Sequence, residues 1–517
     1  MSPTSVEARP DQLAELVVFL EGVIREERKH EKPPYKFVDT GLVNQLVSNR
    51  NHVLFGRRGS GKSALLRELE ARCVPAGVET IVIDMESIAQ TSFPNLVVEI
   101  LLIIFRELHA RVKPNVWGRM FGGPRRRSSE RIASVLSQLE AVYERPDQSK
   151  QKIFGREQQE VKKTLEPEVA AVQNVLRLAA SISKSDLSEI GFEEEAVWTK
   201  ITALFNGIGN YRALIKECLN VLGGRTLYLL IDDFYQIDRF HQPLIADYLK
   251  RLCRQIPCYV KIATVRNRTL LFVRDNLTEA GMQAGQDFSD VDLDYSLSDF
   301  TTARNFLTTI LHNACEGLVQ TEALFGRTYI DTMDTLTEAS GGNPRDFINL
   351  LIRIIRNKQP PGPSAIITPS DVRQGIVSYY HKIREEAAEA FSNFAILDML
   401  LKEVTALCKE QDNIGFYMSR EDMKVYQAVT VLVGQLADSR FIHLLTSTYP
   451  APIPADNPAT AYLLSMGIYS EFLPDQRINL VNRGVSARPF AKFAASTVAD
   501  RVALLAPELA LIAKVSV

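Results

Sequence analysis

One short segment constrains this chain more than any other. It fits the pattern G-x-x-x-x-G-K-[ST] without a mismatch and reads Gly56-Arg57-Arg58-Gly59-Ser60-Gly61-Lys62-Ser63. The apolar run at 52–55 before it predicts a strand, and the periodic stretch after it predicts a helix. Glycines let the backbone curl with its N–H groups pointing inward, and a helix start presents a partial positive charge. The segment therefore predicts a loop that cradles phosphate groups.

The predicted ligand of this loop is ATP with Mg²⁺. Lys62 has the reach to contact the β- and γ-phosphates, and the hydroxyl of Ser63 has the chemistry to hold Mg²⁺. The residues assigned to nucleotide binding are Gly56, Gly59, Ser60, Gly61, Lys62, Ser63 and Ala64. The alternative is a chance glycine-rich turn, and the strand before and helix after the loop argue against it.

A second candidate element is an apolar strand that ends in two carboxylates, Asp232 and Asp233. Carboxylates at the end of a buried strand are costly unless they serve a partner. We expect Asp232 to hold Mg²⁺, through water, and Asp233 to orient or deprotonate the attacking water. The alternative is an ordinary polar strand end.

A third candidate is Arg345, in the segment Ser340-Gly341-Gly342-Asn343-Pro344-Arg345. Proline is favoured in the first helical turn, so Arg345 is expected near a helix N-terminus, where the helix dipole disfavours a cation. An anionic partner would compensate. A γ-phosphate is one candidate partner, and an ordinary salt bridge is the other.

The order of elements predicts an α/β fold with a parallel sheet. Strands expected at 52–55, 79–84, 226–232, 258–265 and 290–297 alternate with helices. The rhythm breaks at about 111–195, which we interpret as an insertion, partly helical and partly mobile. The predicted domains are an N-terminal helix and adenine-side segment (1–46), a P-loop ATPase core (47–297), a helical lid (298–385) and a C-terminal winged-helix-like domain (386–517).

Together, the three motifs resemble an AAA+ ATPase of the origin-recognition and STAND-like P-loop branch, of bacterial type. In that branch a GNPR loop supplies the sensor-2 arginine, so the resemblance assigns this role to Arg345 and a γ-phosphate contact with it. It also implies a sensor-1 residue after the 258–265 strand. Thr264 is the first choice, with Arg266 and Asn267 as rivals.

The resemblance implies further features. The segment 34–42 stands where the family places an adenine-contacting stretch. Arg251, Arg254 and Arg268 are candidates for an arginine finger on spacing alone, and a neighbouring subunit of a homo-oligomer is another source. Asp233 stands where many AAA+ proteins carry glutamate, which implies slower hydrolysis. Chains of this arrangement are also associated with bacterial mobile-element and anti-phage loci.

Length and composition limit the other classes of protein to which this chain could belong. The chain has 517 residues and a formal net charge of −2, which suggests several domains and no bulk attraction to nucleic acid. The apolar run at 96–105 is too short for the roughly 20 residues of a bilayer span, so no membrane association and a cytoplasmic location are expected. The six cysteines and seven histidines show no metal or redox spacing.

The predicted function is an ATP-controlled switch or loader that engages duplex DNA, in replication, transposition or mobile-element defence. Candidate phosphate contacts are Arg477, Arg483, Arg488 and Lys492, or a flexible loop with Arg125, Arg126, Arg127 and Arg131. Acidic residues slightly outnumber basic ones from 375 onward, which favours an alternative. In it, ATP controls an assembly that regulates a partner protein such as a nuclease. A GTPase is a weaker third reading, because no N-K-x-D motif is present.

Overall fold

The computed structural model describes most of the 517-residue chain. The described residues are 9–26, 37–113, 123–144, 193–275, 278–295, 297–358, 366–391, 393–445, 459–469 and 490–505. They form two compact units. One comprises the described parts of Met1–Thr40, Gly56–Ala64 and Leu293–Lys514, and the other those of Gly41–Phe55 and Leu65–Asp292. The loop at 56–64 is thus grouped with the helical and C-terminal parts of the chain. The domain boundaries expected from the sequence stay predictions.

A five-stranded sheet in the order β2-β3-β4-β1-β7 forms the centre of the second unit. The strands of the described chain are β1 (His52–Phe55), β2 (Glu79–Asp84), β3 (Leu227–Asp232), β4 (Cys258–Thr264), β5 (Phe272–Asp275), β6 (Thr278–Gly281), β7 (Ser289–Asp292), β8 (Gly415–Ser419), β9 (Ile442–Leu444), β10 (Ala459–Leu464) and β11 (Ala491–Lys492). The last predicted core strand, 290–297, therefore ends earlier than expected. The antiparallel hairpin β5–β6 was not predicted.

All neighbouring strands of the central sheet run parallel. Residues Leu227–Ile231 of β3 are buried without alternation, as expected for a strand covered on both faces. Because carboxyl ends of parallel strands meet at one edge, the ends of β1, β4 and β3 follow one another along that edge. Strand β4 lies between the strand that leads into the glycine loop and the strand that ends in Asp232.

The helices complete the α/β fold. They are α1 (Pro10–Glu26), α2 (Leu42–Leu46), α3 (Lys62–Cys73), α4 (Met85–Ile88), α5 (Asn95–Val112), α6 (Pro124–Tyr143), α7 (Glu193–Val221), α8 (Gln242–Cys253), α9 (Phe300–Cys315), α10 (Thr321–Phe325), α11 (Tyr329–Ser340), α12 (Pro344–Lys358), α13 (Pro369–Ala390), α14 (Phe394–Glu410), α15 (Arg420–Val425), α16 (Gln427–Asp438), α17 (Met466–Tyr469) and α18 (Ser496–Leu505).

The core of the second unit lies between the sheet and helices α5, α6, α7 and α8. Helix α6 belongs to the predicted insertion, and it corrects one expectation. Arg125, Arg126 and Arg127 lie in the first turn of α6 and not in a flexible loop, because Pro124 begins the helix with a preset φ. Buried Ile132 and Leu139 anchor α6 to the core. Residues 145–192 of the insertion lie outside the described chain.

A helical bundle of α1 and α9–α13 forms the lid part of the first unit. Leu16 and Leu20 of α1 are buried in the same apolar cluster as Leu350 and Leu351 of α12. The segments Ser298-Asp299 and Thr368-Pro369-Ser370-Asp371 have the composition of helix starts, and the structure confirms both. Asp299 accepts a hydrogen bond from the Thr302 amide at the start of α9, and a capping box begins α13.

The C-terminal part has a winged-helix-like arrangement. After α14 and β8 come two consecutive helices, α15 and α16, and then β9 and β10, which pair in antiparallel fashion with each other. Strand β10 also pairs antiparallel with β8. The predicted fold class, a parallel-sheet P-loop core with a helical lid and a winged-helix-like C-terminal domain, is confirmed. The sequence pattern indicates a single helix near 420–437, whereas the structure has two helices there, α15 and α16.

No helix among the described residues has the length and apolar character to cross a bilayer. All six cysteines are buried and unbridged, and Cys253 and Cys258 lie closest, with 3.2 Å between their sulfur atoms.

The capping box of α13 generates a stability prediction. Thr368 Oγ1 accepts from the Asp371 amide at 3.4 Å, and Asp371 Oδ2 accepts from the Thr368 amide at 2.8 Å. We expect Thr368→Ala to lower the free energy of unfolding by about 1 kcal/mol, the usual effect of losing an N-cap side chain. Urea unfolding monitored by circular dichroism measures it. Thr368→Ser keeps the hydroxyl and is expected to match the parent; equal losses in both variants would contradict the capping explanation.

Candidate nucleotide-binding site

The glycine loop follows β1 directly and ends where α3 begins at Lys62. Gly59 and Gly61 adopt φ values of 87° and 93°, in the left-handed region that favours glycine. At Gly56 a side chain is excluded for a different reason, because its Cβ would lie 2.3 Å from Ser60 Oγ. The pattern of glycines is therefore required by the backbone path of this loop.

Two polar side chains are buried inside the loop. Lys62 is 5% exposed, and its ammonium donates to the carbonyls of Gly56 at 2.8 Å and Arg57 at 3.0 Å. Ser60 is 6% exposed, and its Oγ has no hydrogen-bond partner among the described residues. Burying a hydroxyl without a partner costs about 1–3 kcal/mol, and a hydrogen bond from a ligand at the loop would offset that cost. A glycine cradle, a buried lysine and a helix start fit a polyphosphate.

The lid loop Gly341–Asn343 and the start of α12 touch the glycine loop. Asn343, 1% exposed, donates through Nδ2 to the Arg58 carbonyl at 3.0 Å. Its Oδ1 accepts from the amides of Arg345 at 3.0 Å and Asp346 at 3.2 Å, so Asn343 caps α12. The Arg345 amide also donates to the Gly59 carbonyl at 3.3 Å. The predicted sensor arginine therefore lies at the helix N-terminus and beside the loop.

Arg57 attaches the loop to three other segments. Its amide donates to the carboxylate of Asp294 at 2.9 and 3.0 Å, and its Nε approaches the same carboxylate at 3.4 Å. Nη2 donates to the Gly341 carbonyl at 2.9 Å, and Nη1 lies 3.2 Å from Nδ1 of His443. A position at which the motif accepts any residue thus links the loop to three other segments.

The two predicted carboxylates lie at the end of β3 and are half-buried. The Asp233 amide donates to Asp232 Oδ1 at 2.9 Å, which orients the first carboxylate. Asp233 adopts φ 50°, a left-handed conformation that is uncommon for residues other than glycine. Strained backbone of this kind concentrates at functional sites.

The three sensor-1 candidates occupy different environments at the end of β4. Thr264 is fully buried, and its hydroxyl lies 2.5 Å from that of Thr269. Arg266 is exposed, pairs with Asp290 and Asp292, and stacks on the ring of Phe55 at 4.0 Å. Asn267 is exposed. Thr264 is the one of the three that faces the interior.

The remaining arginine candidates are dispersed. Arg251 pairs with Asp247 at 2.6 Å, and Arg268 stacks over Tyr235 at 4.7 Å, while Arg254 is exposed. In α6, Arg126 pairs with Glu130 at 2.8 Å and Arg131 with Glu217. Arg477, Arg483 and Arg488 lie outside the described residues, and Lys492 is exposed on β11.

Several contact residues were not assigned from sequence. Asn343 belongs to the same segment as Arg345, and an asparagine followed by proline is itself a signal for a helix cap. Arg57, Asp294 and His443 carry no such signal, because they meet only through the tertiary structure.

The fold resembles solved structures of low sequence identity. A Walker-type ATPase of Pyrococcus abyssi is 11% identical with a TM-score of 0.39, and the alignment covers 85% of this chain and 96% of that one. Cdc6p of Pyrobaculum aerophilum is 12% identical with a TM-score of 0.30, and the alignment covers 98% of this chain and 97% of that one. Drosophila ORC bound to DNA is 13% identical with a TM-score of 0.30, and the alignment covers 91% of this chain and 87% of that one.

No protein-family model matches this chain, and a search of curated proteins finds no match either. The structural likeness is too distant to carry information on activity.

The close approach of Gly59 to the lid generates a second prediction. A Cβ at Gly59 would lie 2.6 Å from Arg345 Cβ and 2.8 Å from Asn343 Oδ1. Gly59→Ala is therefore expected to separate the loop from α12 and to weaken nucleotide binding at least tenfold in calorimetry. Gly77→Ala is the matched control, because Gly77 has φ 72° with nothing within 4 Å. Both variants carry backbone strain of roughly 1 kcal/mol, so equal effects on affinity would exclude the lid contact as the cause.

Proposed function

We propose that this chain is an AAA+-type ATPase that binds ATP with Mg²⁺ and uses the nucleotide state to control its lid and C-terminal domain. One observation carries the proposal. The glycine loop contains a buried lysine and a Ser60 hydroxyl that has no hydrogen-bond partner in the described part of the chain, and the cap and first turn of α12 contact it directly. A ligand at the loop therefore reaches the lid without an intermediate.

The loop residues have distinct proposed roles. Gly56, Gly59, Ser60, Gly61 and Ala64 shape the cradle and direct backbone N–H groups at the phosphates. Lys62, now held by two loop carbonyls, exchanges one of them for a phosphate oxygen. Ser63 and Asp232 are the proposed Mg²⁺ ligands, in keeping with the oxygen ligands that this ion prefers.

Asp233 is proposed as the residue that positions the attacking water. Its left-handed backbone aims it differently from Asp232, although the two are adjacent. Its side chain is one methylene shorter than that of glutamate, which favours slow turnover. Thr264 is proposed as the sensor at the end of β4, where its hydroxyl now meets Thr269.

Arg345 is proposed to contact the γ-phosphate. Its amide is already fixed by Asn343 and near the Gly59 carbonyl, so its backbone is preorganised beside the loop. A cation at a helix N-terminus is stabilised by an anion, and a γ-phosphate supplies one only in the ATP state. Hydrolysis would then release the lid.

The C-terminal domain favours one consequence of nucleotide binding, which is assembly with protein partners, including other copies of this chain. Helix α16 occupies the position of a recognition helix, which reads DNA in the major groove. It contains no lysine or arginine, and every one of its residues is buried or half-buried. Groove binding needs an accessible helix with cations near phosphates, so α16 is unsuited to it.

DNA engagement is a second candidate, favoured by a different observation. Arg125, Arg126 and Arg127 are all exposed in the first turn of α6. Cations there oppose the helix dipole, and phosphate groups of duplex DNA would compensate them.

The nucleotide proposal predicts separable effects of two variants. Lys62→Ala is expected to lower ATP affinity at least a hundredfold by calorimetry, whereas Lys424→Ala, an exposed lysine of α15, leaves it unchanged. Asp233→Asn is expected to bind ATP like the parent and to lose at least tenfold in turnover. Unchanged affinity in the Lys62 variant would refute the loop assignment, and unchanged turnover in the Asp233 variant would refute the water-positioning role.

Measurements of ATP turnover and of gel shifts with duplex DNA distinguish DNA engagement from assembly with protein partners. If α6 grips phosphates, a triple change of Arg125, Arg126 and Arg127 to Glu removes DNA binding at low salt, and the parent's affinity falls steeply with salt. If the output is assembly, the parent binds no duplex at low salt. ATP then shifts its mass in solution, measured by light scattering, and Lys62→Ala does not respond.

A further inference from the structure

A short segment of the C-terminal domain reaches the glycine loop and the lid. It runs from the end of α16 into β9, and its buried polar residues include Arg440 (7% exposed) and His443 (3% exposed). His443 contacts Arg57 of the glycine loop, and Arg440 contacts Asp346, the neighbour of Arg345. One segment therefore reaches both parts of the candidate nucleotide site.

Arg440 holds this segment in place. Its guanidinium pairs with Asp346 Oδ1 at 2.5 Å and with Glu386 Oε2 at 2.5 Å, and the Tyr379 hydroxyl donates to Asp346 at 2.8 Å. Burial alone would lower the pKa of Arg440, but Asp346, Tyr379 and Glu386 raise it. A buried charge with two carboxylate partners is costly to break, so the segment is anchored to the lid.

The protonation state of His443 determines the direction of its hydrogen bond with Arg57. Burial, with the positive charges of Arg57 and Arg440, lowers the pKa of His443 to about 3, so its ring is neutral near pH 7. A guanidinium donates and never accepts, so Nδ1 must accept the hydrogen bond from Arg57 Nη1 at 3.2 Å. The ring proton is then on Nε2, which is buried and has no partner among the described residues.

The ring of His443 also packs closely against the lid loop. A Cβ at Gly341 would lie 2.1 Å from its Cε1, and only glycine leaves room for the ring there. The Gly341 carbonyl in turn accepts a hydrogen bond from Arg57 Nη2. Asp294, Gly341 and His443 therefore surround the Arg57 guanidinium on three sides and fix the part of the loop that precedes Gly59.

We propose that His443 is a positioning residue of the nucleotide site and sets the affinity for nucleotide by holding Arg57. The inference rests on the proposed function, because it requires a nucleotide at the loop. It adds a residue from the C-terminal part of the same unit, 386 positions along the chain from Arg57, that touches no nucleotide itself. Because coupling is reciprocal, nucleotide at the loop must also change how firmly the C-terminal segment is held.

Two substitutions isolate the hydrogen bond from the packing. His443→Asn keeps an acceptor close to the position of Nδ1, whereas His443→Leu keeps the bulk and removes the acceptor. We expect His443→Leu to weaken ATP binding about tenfold or more, the size of one hydrogen bond to a charged group, and His443→Asn to recover most of the loss. His381→Leu, an exposed histidine in the same unit, is the control and is expected to bind like the parent.

The kinetic readout separates positioning from general damage. A positioning role raises the KM for ATP and leaves kcat at saturation within about twofold, since the chemical groups are intact. Loss of folded protein would lower kcat at unchanged KM. If His443→Leu does not fold, His443→Gln replaces it, because its longer side chain shifts the acceptor away from the Nδ1 position.

A double-mutant cycle with Arg57→Met completes the test. If His443 acts through Arg57, His443→Leu has little further effect on affinity in the Arg57→Met background. Additive effects, or parent-like affinity in folded His443→Leu, would overturn the inference. A parent protein that binds no ATP, measured beside Lys62→Ala, would instead overturn the proposed function, so the two failures are distinguishable.

Discussion

The contacts of the Arg57 guanidinium are the constraint on which the candidate site depends. The Arg57 side chain contacts Asp294 after β7, the lid loop at Gly341 and the C-terminal domain at His443. A guanidinium has five donors in a rigid plane, so it can satisfy several acceptors at once where lysine could not. Without these contacts the loop would keep its glycines and would be held beside α12 through its backbone carbonyls at Arg58 and Gly59.

Around this centre, helix α12 is fixed from both ends of its first turn. Asn343 caps it on the side of the glycine loop, and Asp346 ties it to Arg440 on the side of the C-terminal domain. Arg345 lies between these two anchors. Under the proposed function, a helix held in this way would transmit a change at the loop by moving as a rigid body. Helix α16 is packed against α14, α15 and α18 of the same unit.

The elements that the sequence predicted best depend on local rules. The strand-loop-helix at Lys62, the buried strand ending at Asp232, and the caps at Asp299 and Thr368 all follow from neighbouring residues. The sequence analysis predicts a loop at Arg125–Arg127, because a run of arginines is typical of a solvated loop, whereas the structure begins a helix at Pro124. The helix at 420–437 was predicted as one because apolar periodicity continues across Tyr426, where the backbone breaks it into two.

By itself the sequence determined the P-loop fold class and the phosphate chemistry of the loop, because those follow from glycine conformations, a buried strand and a helix start that are adjacent in the chain. The tertiary structure alone decided which side chains hold that loop. Asp294 and His443 are separated from Arg57 by 237 and 386 positions, and neither has a local pattern that marks it. Hydrogen bonds between buried polar groups depend on distances of about 3 Å, and only packing brings such remote residues that close.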